Sequence, residues 1–267
     1  MLRDITIGQY FPGKSVIHNL DPRVKIILTL AYIILLFVAQ NPAALALGVV
    51  MLLCFYLVSR IPLKMILRSL KPVVPIILFT AVLNMLFVDG NTLWQWWIIR
   101  ITDKGLQTAA FMAVRIICLI AGTSLLTYTT SPIVLTDGIE RLLAPLKKFR
   151  LPVHELAMMM TIALRFIPTL IEETDKIMSA QKARGADMES GGLIQRAKAL
   201  IPILIPLFVS AFRRADELAM AMECRCYRGG EGRTRMKQLK IASRDIGASV
   251  VMAVCLAGII ALNILVK

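Results

Sequence analysis

The sequence predicts an all-α, polytopic membrane protein with about five transmembrane helices and a cytoplasmic domain of amphipathic helices. Three observations carry this prediction. Hydrophobic residues make up 57% of the 267 residues and the mean hydropathy is +0.72, more apolar surface than a water-soluble domain hides. The formal charge is nonetheless +14, and it is uneven: nineteen Lys/Arg and twelve Asp/Glu fall between Thr129 and Arg244, whereas the apolar runs elsewhere are nearly free of charge. No strand pattern runs longer than a few residues. The chain therefore divides into an N-terminal transmembrane domain (residues 1–130, four helices), a cytoplasmic or interfacial domain (131–244, three amphipathic helices) and a C-terminal transmembrane helix (245–267).

The opening Met1–Thr6 is not expected to be a cleavable leader, because an apolar core begins only near Ile26 and no small-residue cleavage site follows it. Five spans follow, roughly Val24–Ala39, Ala43–Val58, Val73–Val88, Leu106–Thr129 and Ile246–Val266, against a requirement of about 20 apolar residues per crossing. The first two are short and share the turn Gln40-Asn41-Pro42, so they read as a tight hairpin. Flanking charge sets the orientation. Arg3, Lys14, Arg23 and Lys25 precede the first span, and Arg60, Lys64, Arg68 and Lys71 fill the second loop. The opposite loop, Asp89–Lys104, is balanced in charge and holds Trp94, Trp96 and Trp97. Cations stay in the cytoplasm and tryptophans sit at the lipid boundary, so a cell-membrane protein with a cytoplasmic N-terminus is expected.

Between Ser131 and Arg244 three long amphipathic helices are expected. The first has Ile133, Leu135, Ile139, Leu142, Leu143 and Leu146 as its apolar positions and closes on Lys147-Lys148-Phe149-Arg150. The second places Met160, Leu164, Ile167, Ile171, Thr174 and Met178 on one face. The third does the same with Phe208, Phe212, Ala215, Ala219 and Met222. Arg165 interrupts the apolar part of the second, and Pro202 and Pro206 sit in the third. Breaks fall at Ser131-Pro132, Leu151-Pro152, Ser190-Gly191-Gly192 and Gly229-Gly230. The polar faces favour interfacial or cytoplasmic helices over two further spans.

Most candidate chemistry has a bland alternative. Residues 8–15 match the phosphate-loop pattern G-x-x-x-x-G-K-[ST], but no buried strand delivers them to a helix, so no nucleotide site is expected. Glu172, Glu173 and Asp175 could hold Mg²⁺ for a membrane enzyme acting on a lipid phosphate; no second acidic cluster faces them, and a solvated helix face accounts for them better. Arg115, inside the fourth span, is either a functional intramembrane cation or an inward group bonding backbone carbonyls or Asn84; with Asn84 it is the only hint of a permease with its own substrate pathway. Cys224 and Cys226 lack a second pair or a nearby His for a metal site, and the other three cysteines read as small hydrophobes. No cofactor, metal or nucleic-acid partner is expected, since aromatic residues are scarce in the basic region.

Two arginines resist the bland reading. In Asp175…Arg184 and Asp216…Arg225 an Asp stands nine residues before an Arg set between small residues, and the two Arg are 41 positions apart. Each closes a long helical pattern. A cation at one helix C-terminus is worth about 0.3–1 kcal/mol against the helix dipole, but that accounts for one Arg and not for a matched pair. Arg also offers a planar fork for a partner's carboxylate.

The run Gly8–Lys25 and these two triplets resemble the transmembrane coupling subunit of energy-coupling factor (ECF) transporters, the EcfT family, over essentially the whole chain. Ala183-Arg184-Gly185 matches that family's paired X-Arg-X motif, while Cys224-Arg225-Cys226 keeps only the Arg. The resemblance implies a non-catalytic subunit of an ATP-driven vitamin or micronutrient importer. Two coupling helices would dock on two ABC-type ATPase subunits, each motif Arg meeting acidic residues in a groove. Motion driven by ATP would pass to a separate membrane-embedded substrate-binding subunit. Met158, Met159, Met160, Met178, Met220 and Met222 crowd the amphipathic helices; they either fill a core or offer an adaptable surface to that subunit.

Overall fold

A computed structural model describes residues 10–89, 92–96, 99–149, 151–186, 192–229 and 239–265. The expected breaks at Ser190-Gly191 and Gly230, together with Gly8, Gln9, Trp97, Arg150 and Val266, lie outside them. Nine α-helices are described: α1 (Pro22–Val38), α2 (Pro42–Ser59), α3 (Leu63–Leu70), α4 (Val74–Phe87), α5 (Asp103–Thr129), α6 (Pro132–Leu143), α7 (Val153–Ala183), α8 (Leu193–Cys224) and α9 (Ser243–Leu265). A short antiparallel hairpin, β1 (Thr92–Trp96) with β2 (Ile99–Thr102), precedes α5. The hairpin is absent from the sequence reading, because strands of five and four residues are too short for an alternating pattern to stand out; α3 is likewise a helix where a loop was expected.

The described residues form two compact units. The first joins the chain up to Gly138 with the C-terminal helix from Leu239 onward. Helix α1 starts where Asp21 accepts from the Arg23 backbone N–H at 2.9 Å and Pro22 supplies a pre-set first turn. The Gln40-Asn41-Pro42 turn leads into α2, whose end is marked by Arg60 in the left-handed region. Tyr32, Leu35 and Leu36 of α1 are buried against Leu45, Met51 and Leu52 of α2 and against Cys118 and Ala121 of α5. The approach is close: a Cβ on Gly122 would lie 2.5 Å from the Tyr32 ring. Two buried tyrosine hydroxyls are satisfied, Tyr56 donating to Ala121 O at 2.7 Å and Tyr128 to Met65 O at 2.9 Å.

Helix α9 runs parallel to α1. At one end the buried Asp245 accepts from the Asp21 N–H at 2.7 Å; at the other, Asn263 donates to Val38 O at 2.6 Å. The end of α5 returns to the same side as the start of α1, where the Lys25 ammonium donates to His18 O, Thr129 O and Thr130 Oγ1 within 3.1 Å. All three protons of this buried cation are thereby used.

The phosphate-loop look-alike has a structural job here. His18 accepts from the Ser15 hydroxyl through Nδ1 at 2.7 Å and donates through Nε2 to Phe11 O at 3.0 Å, and Phe11 N–H donates to Tyr128 O at 2.9 Å. Burial holds the His18 pKa below the usual imidazole value, in keeping with that neutral tautomer.

The second unit, from Ile139 to Gln238, holds the two long helices. His154 Nδ1 pairs with Glu140 at 3.0 Å, tying the start of α7 to α6. The sequence runs the first amphipathic helix on through Leu146; instead α6 ends at Leu143 and a 3₁₀ turn, Ala144–Phe149, carries Pro145. By contrast, Pro168 in α7 and Pro202 and Pro206 in α8 do not end their helices. At about 1.5 Å per residue α7 and α8 are each some 46–48 Å long.

Among the described residues five helical stretches are long and apolar enough to cross a membrane: α2, the run α3–α4 (Leu63–Phe87), α5, α7 and α9. This is the expected number with one exchange. Helix α1, at 17 residues and about 25 Å, falls just short of the hydrocarbon thickness, whereas α7 meets the criterion despite its polar face. The third span begins earlier than expected, because α3 joins α4 through a 3₁₀ turn at Lys71–Val73.

Candidate functional site: paired helix ends

Arg184 and Arg225 are the C-cap residues of α7 and α8, and the two ends are built alike. At the first, Gly185 N–H donates to Lys182 O at 3.0 Å and Ala186 N–H reaches back to Gln181 O at 3.0 Å. At the second, Cys226 N–H donates to Glu223 O at 2.8 Å and Tyr227 N–H to Met222 O at 3.0 Å. These are the two bonds of a Schellman cap, with the residue after each Arg in the left-handed region: Gly185 at φ +85° and Cys226 at φ +57°. The small residue following each Arg thus has a backbone reason, since it terminates the helix directly behind the guanidinium.

Both arginines are exposed, and among the described residues neither forms an ion pair. The Asp nine residues upstream lies about 13 Å back along each helix, too far to touch its Arg. Ala183, Cys224 and Cys226 are exposed beside them. Each long helix therefore ends in a blunt, solvent-facing tip crowned by a charged, planar donor group.

The two helices meet through polar contacts. Arg214 Nη2 donates to Glu173 Oε2 at 2.8 Å, and Gln181 Nε2 donates to Pro202 O at 3.3 Å. Advancing along α7 from Glu173 to Gln181 means going back along α8 from Arg214 to Pro202, so the helices cross antiparallel. Neither contact was foreseen from sequence; the only legible hint was the spacing, because Glu173 and Arg214 are also 41 residues apart.

The family model for CbiQ, described as a cobalt transport protein, matches residues 13–236. The chain is 58% identical over 261 residues to the energy-coupling factor transporter transmembrane protein EcfT of Clostridium kluyveri, covering 96% of this chain and 97% of that one. It is 56% identical to the protein of that name from Thermosediminibacter oceani (96% and 97% covered) and 47% identical to that from Bacillus subtilis (96% and 97%). The chain belongs to the CbiQ/EcfT family.

Other candidate residues in this EcfT-family chain have partners or surroundings of their own. Of the acidic trio, Glu173 is engaged by Arg214, which ties it to the helix crossing. Arg115 donates to Ala39 O at the C-cap of α1 and lies 4.6 Å from the Phe111 ring centroid; Asn84 donates instead to Thr80 O at 2.8 Å. Arg115 thus satisfies a helix end, as its backbone alternative anticipated. Met159, Met160 and Met220 are more than half exposed, and Met158, Met178 and Met222 are partly exposed, so none of the six sits in a core.

Proposed function

We propose that this chain is the coupling component of an ECF-type importer, with Ala183-Arg184-Gly185 and Cys224-Arg225-Cys226 as the docking tips for two ABC-type ATPase subunits. One observation carries the reading: two long helices end in the same cap, each presenting an exposed arginine with no partner of its own among the described residues. Ion-pair fork geometry suits acidic residues lining a groove, and water exclusion on docking strengthens each pair. ATP binding and hydrolysis belong to the partners; the tips follow the grooves as these move, and the stiff helices carry the displacement toward the membrane. The chain itself is non-catalytic.

The substrate sits in a separate membrane-embedded subunit. The exposed methionines, together with the exposed Phe208, Val209 and Phe212 of α8, suit a surface that such a subunit covers. The N-terminus, the amphipathic helices of residues 131–244 and both tips lie on the cytoplasmic side, and the loop bearing the tryptophans lies outside. The parallel arrangement of α1 and α9 supports this parity.

Affinity purification of the tagged protein from its native membrane should bring down two ATPase subunits and a small membrane protein. Reversing a charge that meets a carboxylate at a buried contact costs several kcal/mol. Arg184→Glu or Arg225→Glu alone should therefore weaken ATPase association by about a hundredfold, taking roughly 3 kcal/mol. The double variant should lose association and uptake while inserting normally. A double variant that still couples ATP hydrolysis to uptake rejects the docking tips.

A further inference from the structure

We propose that the Glu173–Arg214 ion pair is the pivot of the α7–α8 crossing, fixing the angle between the helices and with it the spacing of the two arginine tips. The inference rests on the docking reading for its functional meaning, but its physical content is separate.

Position is the first argument. Arg184 lies eleven residues after Glu173, and Arg225 lies eleven residues after Arg214. Eleven residues are close to three helical turns, so on each helix the tip and the pivot share a face and are about 16 Å apart. The contact therefore lies at the midpoint between the tips. Because the helices cross antiparallel, the two arms extend away from each other, giving a tip separation of roughly 20–35 Å according to the crossing angle.

The second argument is what else could fix that angle. Ile203 is the one buried apolar side chain of α8 among the described residues, and the buried residues of α7 are Val153 and Ala157 at its far end. Interdigitated apolar packing, which normally selects a crossing angle, is thin at the crossing. Directional polar contacts take over. Arg214 and Glu173 are only 37% and 26% exposed, unlike the neighbouring i,i+4 pair Arg213–Glu217 at 81% and 61%, which solvent screens.

A second polar contact stops the helices from rotating about the first. Pro202 O would normally accept from the N–H of the residue four positions on, but that residue is Pro206, which has none. Gln181 of α7 supplies the missing donor. The proline thus opens an acceptor on α8 at the place where α7 can reach it, eight residues beyond the ion pair along α7 and twelve before it along α8.

A change of about 15° in crossing angle, within the usual scatter for helix pairs, swings each tip by roughly 4 Å. The test uses the full chain in lipid nanodiscs, with Cys54, Cys118, Cys226 and Cys255 replaced and spin labels at Ala183→Cys and the native Cys224. Glu173→Arg and Arg214→Glu should each shift or widen the tip-to-tip distance distribution by about 4 Å or more, and the double swap should restore it. Glu173→Gln, which removes the attraction without adding repulsion, should widen it less. Distances unchanged in both single reversals, or a double swap as perturbed as either single, overturn the pivot. Arg184→Glu/Arg225→Glu should leave the distances unaltered whether or not ATPase capture is lost, so failure of the docking reading is told apart from failure of this one.

Discussion

Cys226 holds a left-handed backbone that its counterpart Gly185 adopts without a Cβ penalty. For a residue with a side chain that conformation costs about 1–2 kcal/mol, partly offset by the extra freedom glycine has when unfolded. Cys226→Gly should therefore stabilise the end of α8 by up to about 1 kcal/mol, slowing amide exchange in its last turn several-fold. ATPase capture should be unchanged, because the docking group is the arginine and its neighbour only ends the helix. Loss of capture in Cys226→Gly would assign the thiol a direct role instead. Here the sequence was half legible. An Ala-Arg-Gly closing an apolar period announces a cap, whereas Cys-Arg-Cys does not, and its likeness to the first triplet came from the Asp spacing and the small flanking residues.

The elements were legible where apolar composition alone decides. Spans corresponding to α2, α5 and α9 follow from uninterrupted hydrophobic runs, with helix ends within a few residues of the expected ones. Proline was a poorer guide. Pro202 and Pro206 lie inside α8 rather than ending it, and Gln181 of α7 donates to the Pro202 carbonyl that Pro206 leaves open. That arrangement predicts a non-additive pair. Gln181→Ala should cost about 1 kcal/mol of stability in the native sequence, the typical value of such a bond, and much less once Pro206→Ala restores the helical donor. Thermal unfolding of the four chains of that cycle in detergent measures the coupling; additive effects would remove Gln181 from the crossing. The Glu173–Arg214 contact escaped the sequence reading for a related reason. Two charges on separate helices pair only once the crossing is known, and a helix-face reading left Glu173 in solvent.

Across the molecule, the membrane assignment came from composition, and the sidedness from where lysine and arginine gather. The structure adds an independent constraint within the first unit. Asp245 at the start of α1 and Asn263 at its end make α9 parallel to α1, and Lys25 holds the end of α5 against the start of α1. An even number of crossings thus separates α1 from α5's exit and from α9, whatever course the intervening residues take. The paired arginine tips were legible because repetition is visible without a structure: an Arg between small residues, nine positions after an Asp, given twice. Their geometric relation was not, since the antiparallel crossing that aims them apart arises from side chains of two elements.

The central claim is that each arginine tip enters a groove on an ATPase. A thiol-attached photoprobe at Cys226, in a chain whose other four cysteines are replaced, samples the immediate surroundings of Arg225. Irradiated in native membranes, it should form its principal adduct with an ATPase subunit, and Arg225→Glu should abolish that adduct. An adduct with lipid or with the chain itself, unaffected by Arg225→Glu, would contradict the account.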